Sequence, residues 1–222
     1  MVAAWLPSGV SLVMILIGQY DSPFVRRVAI GLDLYGIPYD HRPWSAFSDA
    51  EKIAEFNPLC RVPTLVLDDD RSIVETTFIL DFLDSLAATN KRLIPESGSP
   101  RQSALKTCSL ASGLCDKMVS LVYERVFHAV PSEVWTNRCS DQIVSVLASL
   151  EMECTALDTP YWLGGSPGHA DVAVACAVRF LSEAHPKIFE GGHWPCLQNH
   201  SARCEELESF KRKTQVFIPP KG

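Results

Sequence analysis

The sequence contains eight cysteines among its 222 residues, but no two of them stand in a CxxC arrangement. That spacing is typical of structural zinc sites and of redox-active thiol pairs. The sequence therefore predicts no metal site and no disulfide framework. Scattered cysteines used as small apolar residues are typical of a reducing compartment, so we expect free thiols and a cytoplasmic location.

A concentrated basic patch is also missing. The longest basic run is Lys211-Arg212-Lys213, and the formal net charge at pH 7 is -6. A phosphate backbone is bound mainly through clustered lysine and arginine side chains. The sequence therefore predicts no nucleic-acid partner.

Charged residues are also missing from the N-terminus, where the first eighteen residues contain no charged side chain. This stretch lacks the basic segment that begins a secretory signal. Pro7 and Gly9 interrupt this stretch, and its last residues are predicted to form the first strand of the folded domain. We therefore expect that it does not span a membrane and that the protein has no membrane partner. We predict that residues 1–13 are an extension outside the fold and that Met14 opens the folded domain.

Strand and helix patterns alternate through the first ninety residues. Apolar residues at helical spacing precede Gly36, which is a good helix end. A capping-box pattern at 48–51 predicts the start of a short helix that ends before 57. The predicted order is βαβαββα, with strands at 15–18, 37–42, 64–67 and 71–74 and helices at 23–35, 48–56 and 75–86.

The pattern changes after residue 88. A polar segment rich in turn-forming residues, 89–98, predicts a linker, and no convincing strand follows Pro100. Helical patterns take over at 100–130, 131–157, 168–184 and 194–207. The sequence thus predicts an α/β domain over 14–88 followed by an all-helical domain over 99–222.

Four stretches of this sequence carry a family resemblance. They are SPFVRRV at 22–28, NPLCRVPTLVLDD at 57–69, VETTFILDFLD at 74–84 and GHADVAVACAVRFL at 168–181. In this order and spacing they resemble the glutathione S-transferase superfamily, in particular bacterial-type members with a serine active site. The resemblance implies a thioredoxin-like N-terminal domain, an all-helical C-terminal domain, a homodimer and a detoxification role.

The resemblance also implies a glutathione-binding set made of Arg61, Val62, Pro63, Glu75 and Thr76. The proline is cis in the family, which would turn the Val62 backbone toward the cysteinyl part of glutathione. An ordinary turn proline is the alternative. Glu75 and Thr76 would hold the γ-glutamyl end at a helix N-terminus, where free N–H groups favour a carboxylate. Helix capping alone is the alternative for this pair.

Ser22 is the predicted catalytic residue. It precedes Pro23, a first-turn proline, and is therefore expected to cap the helix. The resemblance adds a second role, in which the Ser22 hydroxyl donates a hydrogen bond to the glutathione thiolate at the positive end of the helix. Tyr20 is the alternative, because some glutathione transferases use a tyrosine for this hydrogen bond. A simple capping role for Ser22 also stays open.

The implied reaction is attack of the thiolate on a small apolar electrophile, with glutathione as co-substrate and no bound cofactor. Ser22 and Val25 stand where a glutaredoxin-like CPFC site would have cysteines, which disfavours thiol–disulfide exchange. A glutathione-dependent isomerase and a non-catalytic binding module with the same fold remain alternatives. The candidates for the acceptor site are apolar and lie in both predicted domains: Phe24, Trp44, Cys115, Met118 and Val122.

Overall fold

The computed structural model of this protein describes residues 14–220, so the expectation for residues 1–13 lies outside the described part. The chain forms two compact units. The first runs to Leu93 and also includes Arg212–Gln215, whereas the second contains Ile94–Lys211 and the residues from Val216 onward. Among residues 14–220, no helix combines the length and the apolar character that a membrane crossing requires.

The first unit has the predicted βαβαββα order. Its elements are β1 (Met14–Ile17), α1 (Pro23–Tyr35), β2 (Tyr39–Arg42), α2 (Ala50–Ala54), β3 (Thr64–Val66), β4 (Ser72–Val74) and α3 (Thr76–Leu86). The four strands form one sheet in the order β2-β1-β3-β4. β1 is parallel to β2 and antiparallel to β3, which is in turn antiparallel to β4.

Both faces of the sheet are covered by helices. Successive side chains of a strand point to opposite faces, so neighbouring residues belong to different core clusters. Leu16 and Leu65 belong to the main core cluster, which also contains buried residues of α1 and α3. Their neighbours Ile17 and Val66 belong to a second cluster with Ile53 of α2. The first unit therefore has three layers, with α1 and α3 on one face of the sheet and α2 on the other.

The ends of α1 are set by its own sequence. Ser22 is the N-cap, with its Oγ accepting a hydrogen bond from the Val25 N–H at 3.4 Å, and Pro23 occupies the first helical position. At the other end, Gly36 has the left-handed conformation, with φ 70°. Glycine adopts this conformation without a Cβ clash and so ends the helix.

The expected capping box at the start of α2 is wrong. Asp49, and not Ser48, is the N-cap, and its side chain makes no capping hydrogen bond. The Asp49 carboxylate accepts hydrogen bonds from the Ser45 N–H and the Lys52 ammonium instead. The polar residues of this segment thus stabilise the preceding turn.

The second unit is helical. Its elements are α4 (Gly98–Phe127), α5 (Glu133–Thr155), α6 (His169–Ala184), α7 (Pro186–Glu190), α8 (Pro195–Glu205) and α9 (Glu208–Lys211). The four long predicted helices are confirmed with shifted ends, whereas α7 and α9 are too short for periodicity to indicate. α6 is buried along most of its length, since its small alanine, valine and cysteine side chains allow neighbouring helices to approach closely.

A disulfide joins Cys154, at the end of α5, to Cys196, at the start of α8. It corrects the expectation that no cysteine is in a disulfide, although the other six form none. The two cysteines are 42 residues apart in the sequence and meet only because α5 packs against α8.

Candidate active site

Three loops of the first unit emerge at one edge of the sheet. Ile17, at the end of β1, pairs with Thr64, at the start of β3, and Thr64 pairs with Val74, at the end of β4. The residues that follow β1, precede β3 and follow β4 are therefore neighbours. These three loops carry the predicted catalytic and glutathione-binding residues, namely Tyr20, Ser22, Arg61, Val62, Pro63, Glu75 and Thr76.

Gly18 allows the three segments to approach closely. Its φ is 129°, a conformation that residues with a side chain rarely adopt. A Cβ at this position would lie 2.5 Å from Cγ2 of Val25 and 2.9 Å from Cβ of Val62. The end of β1 is thus in direct contact with the first turn of α1 and with the loop before β3.

Ser22 stands half-buried at the N-terminus of α1. Its oxygen accepts the Val25 N–H at 3.4 Å, which is long for a hydrogen bond. This contact uses a lone pair and not the hydroxyl hydrogen, so Ser22 can cap the helix and still donate to another acceptor. The first turn reads Pro-Phe-Val-Arg, without an acidic residue to offset the positive end of the helix dipole.

The Tyr20 side chain is engaged elsewhere. Its hydroxyl lies 2.8 Å from the Tyr39 hydroxyl, and its ring stacks on His41 with the ring centroids 4.0 Å apart. Burial raises the pKa of the Tyr20 hydroxyl above its ordinary value. A hydroxyl that is already partnered by another tyrosine is less available for a second hydrogen bond at the edge of the sheet.

The loop before β3 is held by a polar residue that the sequence pattern identifies only as a helix end. Asn57 is buried, and its Nδ2 donates to the Arg61 carbonyl at 2.9 Å and to Thr64 Oγ1 at 3.0 Å. Thr64 Oγ1 also donates to the Arg61 carbonyl at 3.0 Å. The Val62–Pro63 peptide is cis, which confirms the prediction from the family resemblance.

Glu75 and Thr76 form the start of α3. Glu75 is the N-cap and has φ 70°, which is uncommon for a residue with a side chain and recurs at functional sites. Its carboxylate pairs with the Arg61 guanidinium at 3.1 Å, and both side chains are largely exposed. Thr76 is buried at the first helical position.

A surface pocket of the first unit connects the last two loops with the first turn of α1. Its lining comprises Phe24, Asn57, Leu59, Arg61, Val62, Pro63, Val74, Glu75 and Thr76. All five predicted glutathione-binding residues are therefore brought together, with Ser22 two residues before the lining residue Phe24. Neither Ser22 nor Tyr20 is part of the lining itself.

The other acceptor-site candidates lie outside the lining of this pocket. Trp44 packs beside Phe56, with ring centroids 6.3 Å apart, in the second core cluster, which includes Ile53 of α2. Cys115, Met118 and Val122 are 4%, 0% and 2% exposed and belong to the buried face of α4. Residues three and four positions apart share one helix face, and an entirely apolar face is the one that packs in the core.

Two known domain families match the chain. The glutathione S-transferase N-terminal domain matches residues 16–91, and the glutathione S-transferase C-terminal domain matches residues 133–203. The chain belongs to the glutathione S-transferase superfamily. The fold prediction is thereby confirmed, since a thioredoxin-like domain followed by a helical domain is the arrangement of this superfamily.

Individual glutathione S-transferases are similar over nearly the whole chain. Glutathione S-transferase U1 of Arabidopsis thaliana is 25% identical over 211 residues, which cover 93% of this chain and 88% of that protein. A glutathione S-transferase of Methylobacterium radiotolerans, solved with glutathione sulfonate, has a TM-score of 0.86 at 25% identity and covers 94% of this chain and 98% of its own. A glutathione transferase family member of Pseudomonas fluorescens, solved with bound glutathione, has a TM-score of 0.78 at 27% identity, with coverages of 92% and 100%.

Proposed function

We propose that this chain is a serine-type glutathione transferase, which binds glutathione in the pocket of the first unit and activates its thiol as a thiolate. The observation that carries the proposal is that Val62–Pro63 and Glu75–Thr76 line one pocket, beside the loop after β1 that carries Ser22. The related structures support it, since the Pseudomonas fluorescens protein holds glutathione and the Methylobacterium radiotolerans protein holds glutathione sulfonate.

The γ-glutamyl end of glutathione is proposed to bind at the start of α3. Its carboxylate would accept hydrogen bonds from the Thr76 N–H and hydroxyl, at the positive end of the helix dipole. Its ammonium would pair with the Glu75 carboxylate. Glu75 now pairs with Arg61, but an exposed ion pair contributes only about 0–1 kcal/mol, so the partner exchange costs little. The released Arg61 would then be available to a carboxylate of glutathione.

The cysteinyl part is proposed to pair with the Val62 backbone as an added extended strand, which directs the sulfur toward Ser22. The Ser22 hydroxyl donates a hydrogen bond to the sulfur, and the dipole of α1 favours negative charge there. Both effects lower the thiol pKa from its free value of about 8.5. The thiol proton passes to solvent, and the thiolate remains as the nucleophile.

The proposed acceptor is a small apolar electrophile, and Phe24 in the pocket lining is a suitable contact for it. The sulfur lone pair forms the new S–C bond with the electrophilic carbon, while the leaving group departs with the electron pair of the broken bond. Glutathione is consumed as a co-substrate in this reaction.

Retention on immobilised glutathione, followed by conjugation assays with several classes of electrophile, tests the proposal. A transferase should be retained and should form a thioether product. A non-catalytic binding module would form no product whether or not it is retained, and an isomerase would convert its substrate without consuming glutathione. Failure to bind glutathione would contradict the transferase and the isomerase and would favour the binding module.

We also propose that the protein is a homodimer, as glutathione transferases commonly are. Size-exclusion chromatography with light scattering should give a mass near twice that of the chain. A mass near that of a single chain would contradict this proposal and would leave the binding site of the first unit as proposed.

A further inference from the structure

The C-terminal segment Arg212–Gln215 lies along α1. Lys213 and Gln215 are half-buried while Arg212 and Thr214 are exposed, which is the two-residue alternation of an extended chain. The Arg212 guanidinium lies 2.9 Å from Oδ2 of Asp33, in the third turn of α1.

Farther along, the segment reaches the start of the helix. The Lys213 carbonyl accepts the Arg26 Nε–H at 3.0 Å, and Gln215 Oε1 accepts the Tyr20 N–H at 3.0 Å. The segment thus runs antiparallel to α1 and ends at the turn between β1 and α1.

Gln215 stabilises the turn between β1 and α1, although it is distant in the sequence. Tyr20 is two residues before Ser22, and the hydrogen bond from its N–H to Gln215 joins positions 195 residues apart in the sequence. Within the turn, the Ser22 N–H donates to the Gln19 carbonyl at 3.2 Å. The conformation that presents Ser22 is therefore stabilised by local hydrogen bonds and also by one that a distant side chain provides.

Lys213 holds the side chain of Tyr20. Its ammonium lies 3.2 Å from Oδ1 of Asp33, and the two side chains are only 12% and 13% exposed. It also lies over the rings of Tyr20 and Tyr39, 5.5 Å and 5.0 Å from their centroids. A partly buried cation shared by a carboxylate and two rings restricts the Tyr20 side chain more than an exposed ion pair would.

We propose that Gln215 and Lys213 are positioning residues for Ser22. Through the backbone N–H and the ring of Tyr20, they hold the turn between β1 and α1 in the geometry in which the Ser22 hydroxyl meets the glutathione sulfur. Neither residue touches glutathione in this scheme. The inference rests on the function proposed for Ser22, and it adds that the C-terminal segment sets the position of the catalytic hydroxyl.

Three variants test the role of Gln215 in the full chain. Gln215→Met keeps the side-chain length and removes the acceptor oxygen, Gln215→Glu keeps an acceptor, and Thr214→Ala changes the exposed neighbour. Hydrogen exchange of the Tyr20 amide in the glutathione-free protein should become about threefold to tenfold faster in Gln215→Met. It should stay near the wild-type rate in the other two variants, and equal rates in all three would overturn the inference.

The second measurement is the pH titration of the thiolate absorbance of bound glutathione. Gln215→Met and Lys213→Met should each raise the thiol pKa measurably while changing glutathione affinity less than about twofold, since neither residue contacts the ligand. A purely structural role would lower the melting temperature and leave this pKa unchanged, which would refute the inference.

Comparison with Ser22→Ala separates the two proposals. If Ser22→Ala raises the thiol pKa and both C-terminal variants leave it unchanged, the positioning role is wrong and the proposed function stands. If Ser22→Ala itself leaves the pKa unchanged, the proposed function fails and the positioning role fails with it. Gln215→Ala, which also removes the acceptor oxygen without changing the charge, keeps the test decisive if Gln215→Met does not fold.

Discussion

Replacing Ser22 with alanine is the most direct perturbation of the proposed site. A hydrogen bond to a charged group contributes about 1.5–3 kcal/mol. One pKa unit corresponds to about 1.4 kcal/mol, so Ser22→Ala should raise the pKa of the bound glutathione thiol by about one to two units. If the same hydrogen bond is kept in the transition state, conjugation with a reactive electrophile should slow by roughly tenfold to a hundredfold. Glutathione affinity should barely change, because the binding contacts lie at Val62 and Glu75–Thr76.

The same substitution removes a helix cap, and a second variant separates the two effects. Loss of a serine cap typically costs about 0.5–2 kcal/mol of stability, and the 3.4 Å contact to the Val25 N–H indicates a value at the low end. Glycine is tolerated at this position with a loss of only a few tenths of a kcal/mol. Ser22→Gly should therefore raise the thiol pKa as much as Ser22→Ala does while lowering the melting temperature less.

Thiolate absorbance of the glutathione complex, measured against pH, is the assay, and Tyr20→Phe is the matched control. The Tyr20 hydroxyl is bonded to Tyr39, so Tyr20→Phe should leave the thiol pKa unchanged. A shift of this pKa in Tyr20→Phe without a shift in Ser22→Ala would refute the role of Ser22. A lower melting temperature with an unchanged pKa in Ser22→Ala would mean that the serine only caps the helix.

Three further predictions concern other parts of the chain. Glu75→Gln should weaken glutathione binding by about tenfold in calorimetric titration without changing the thiol pKa, and an unchanged affinity would remove Glu75 from the site. Burial lowers the pKa of His185, so below about pH 6.5 the unfolded chain binds a proton that the folded chain does not. The free energy of unfolding should therefore fall as pH decreases from that value toward the lower folded pKa, and urea titrations should show less of this loss in His185→Gln. Reduction of the Cys154–Cys196 disulfide should lower the free energy of unfolding by about 2–4 kcal/mol, whereas an identical denaturation curve with and without reductant would contradict a bond in the protein as purified.

Much of the fold could be predicted because its signals are local. Ser22, Pro23 and Gly36 stand next to the helix ends that they set, so a short window of sequence is enough to locate α1. The order of strands and helices follows from apolar periodicity in the same way. The cis peptide before Pro63 and the roles of Glu75 and Thr76 were predicted only by family resemblance, since neither composition nor spacing indicates them.

The acceptor-site candidates show where local patterns stop being informative. Cys115, Met118 and Val122 share one apolar face of a long helix, and that pattern predicts an apolar environment without saying whether it is a core or a cleft. In the structure all three residues lie on the buried face of α4. Asn57 was missed for a similar reason, because a polar residue near a helix end carries no sign that its amide will be buried against the Arg61 carbonyl.

The sequence by itself determined the elements, their order and the chemical types of residue available at the edge of the sheet, because each of these depends on neighbouring residues. The tertiary structure alone decided which distant groups meet. It joined Tyr20 to Tyr39 and Gln215, and it brought Cys154 to Cys196. Such contacts depend on strand register, helix phase and the course of the terminal segment, and these are set by the packing of the whole unit rather than by any short stretch of chain.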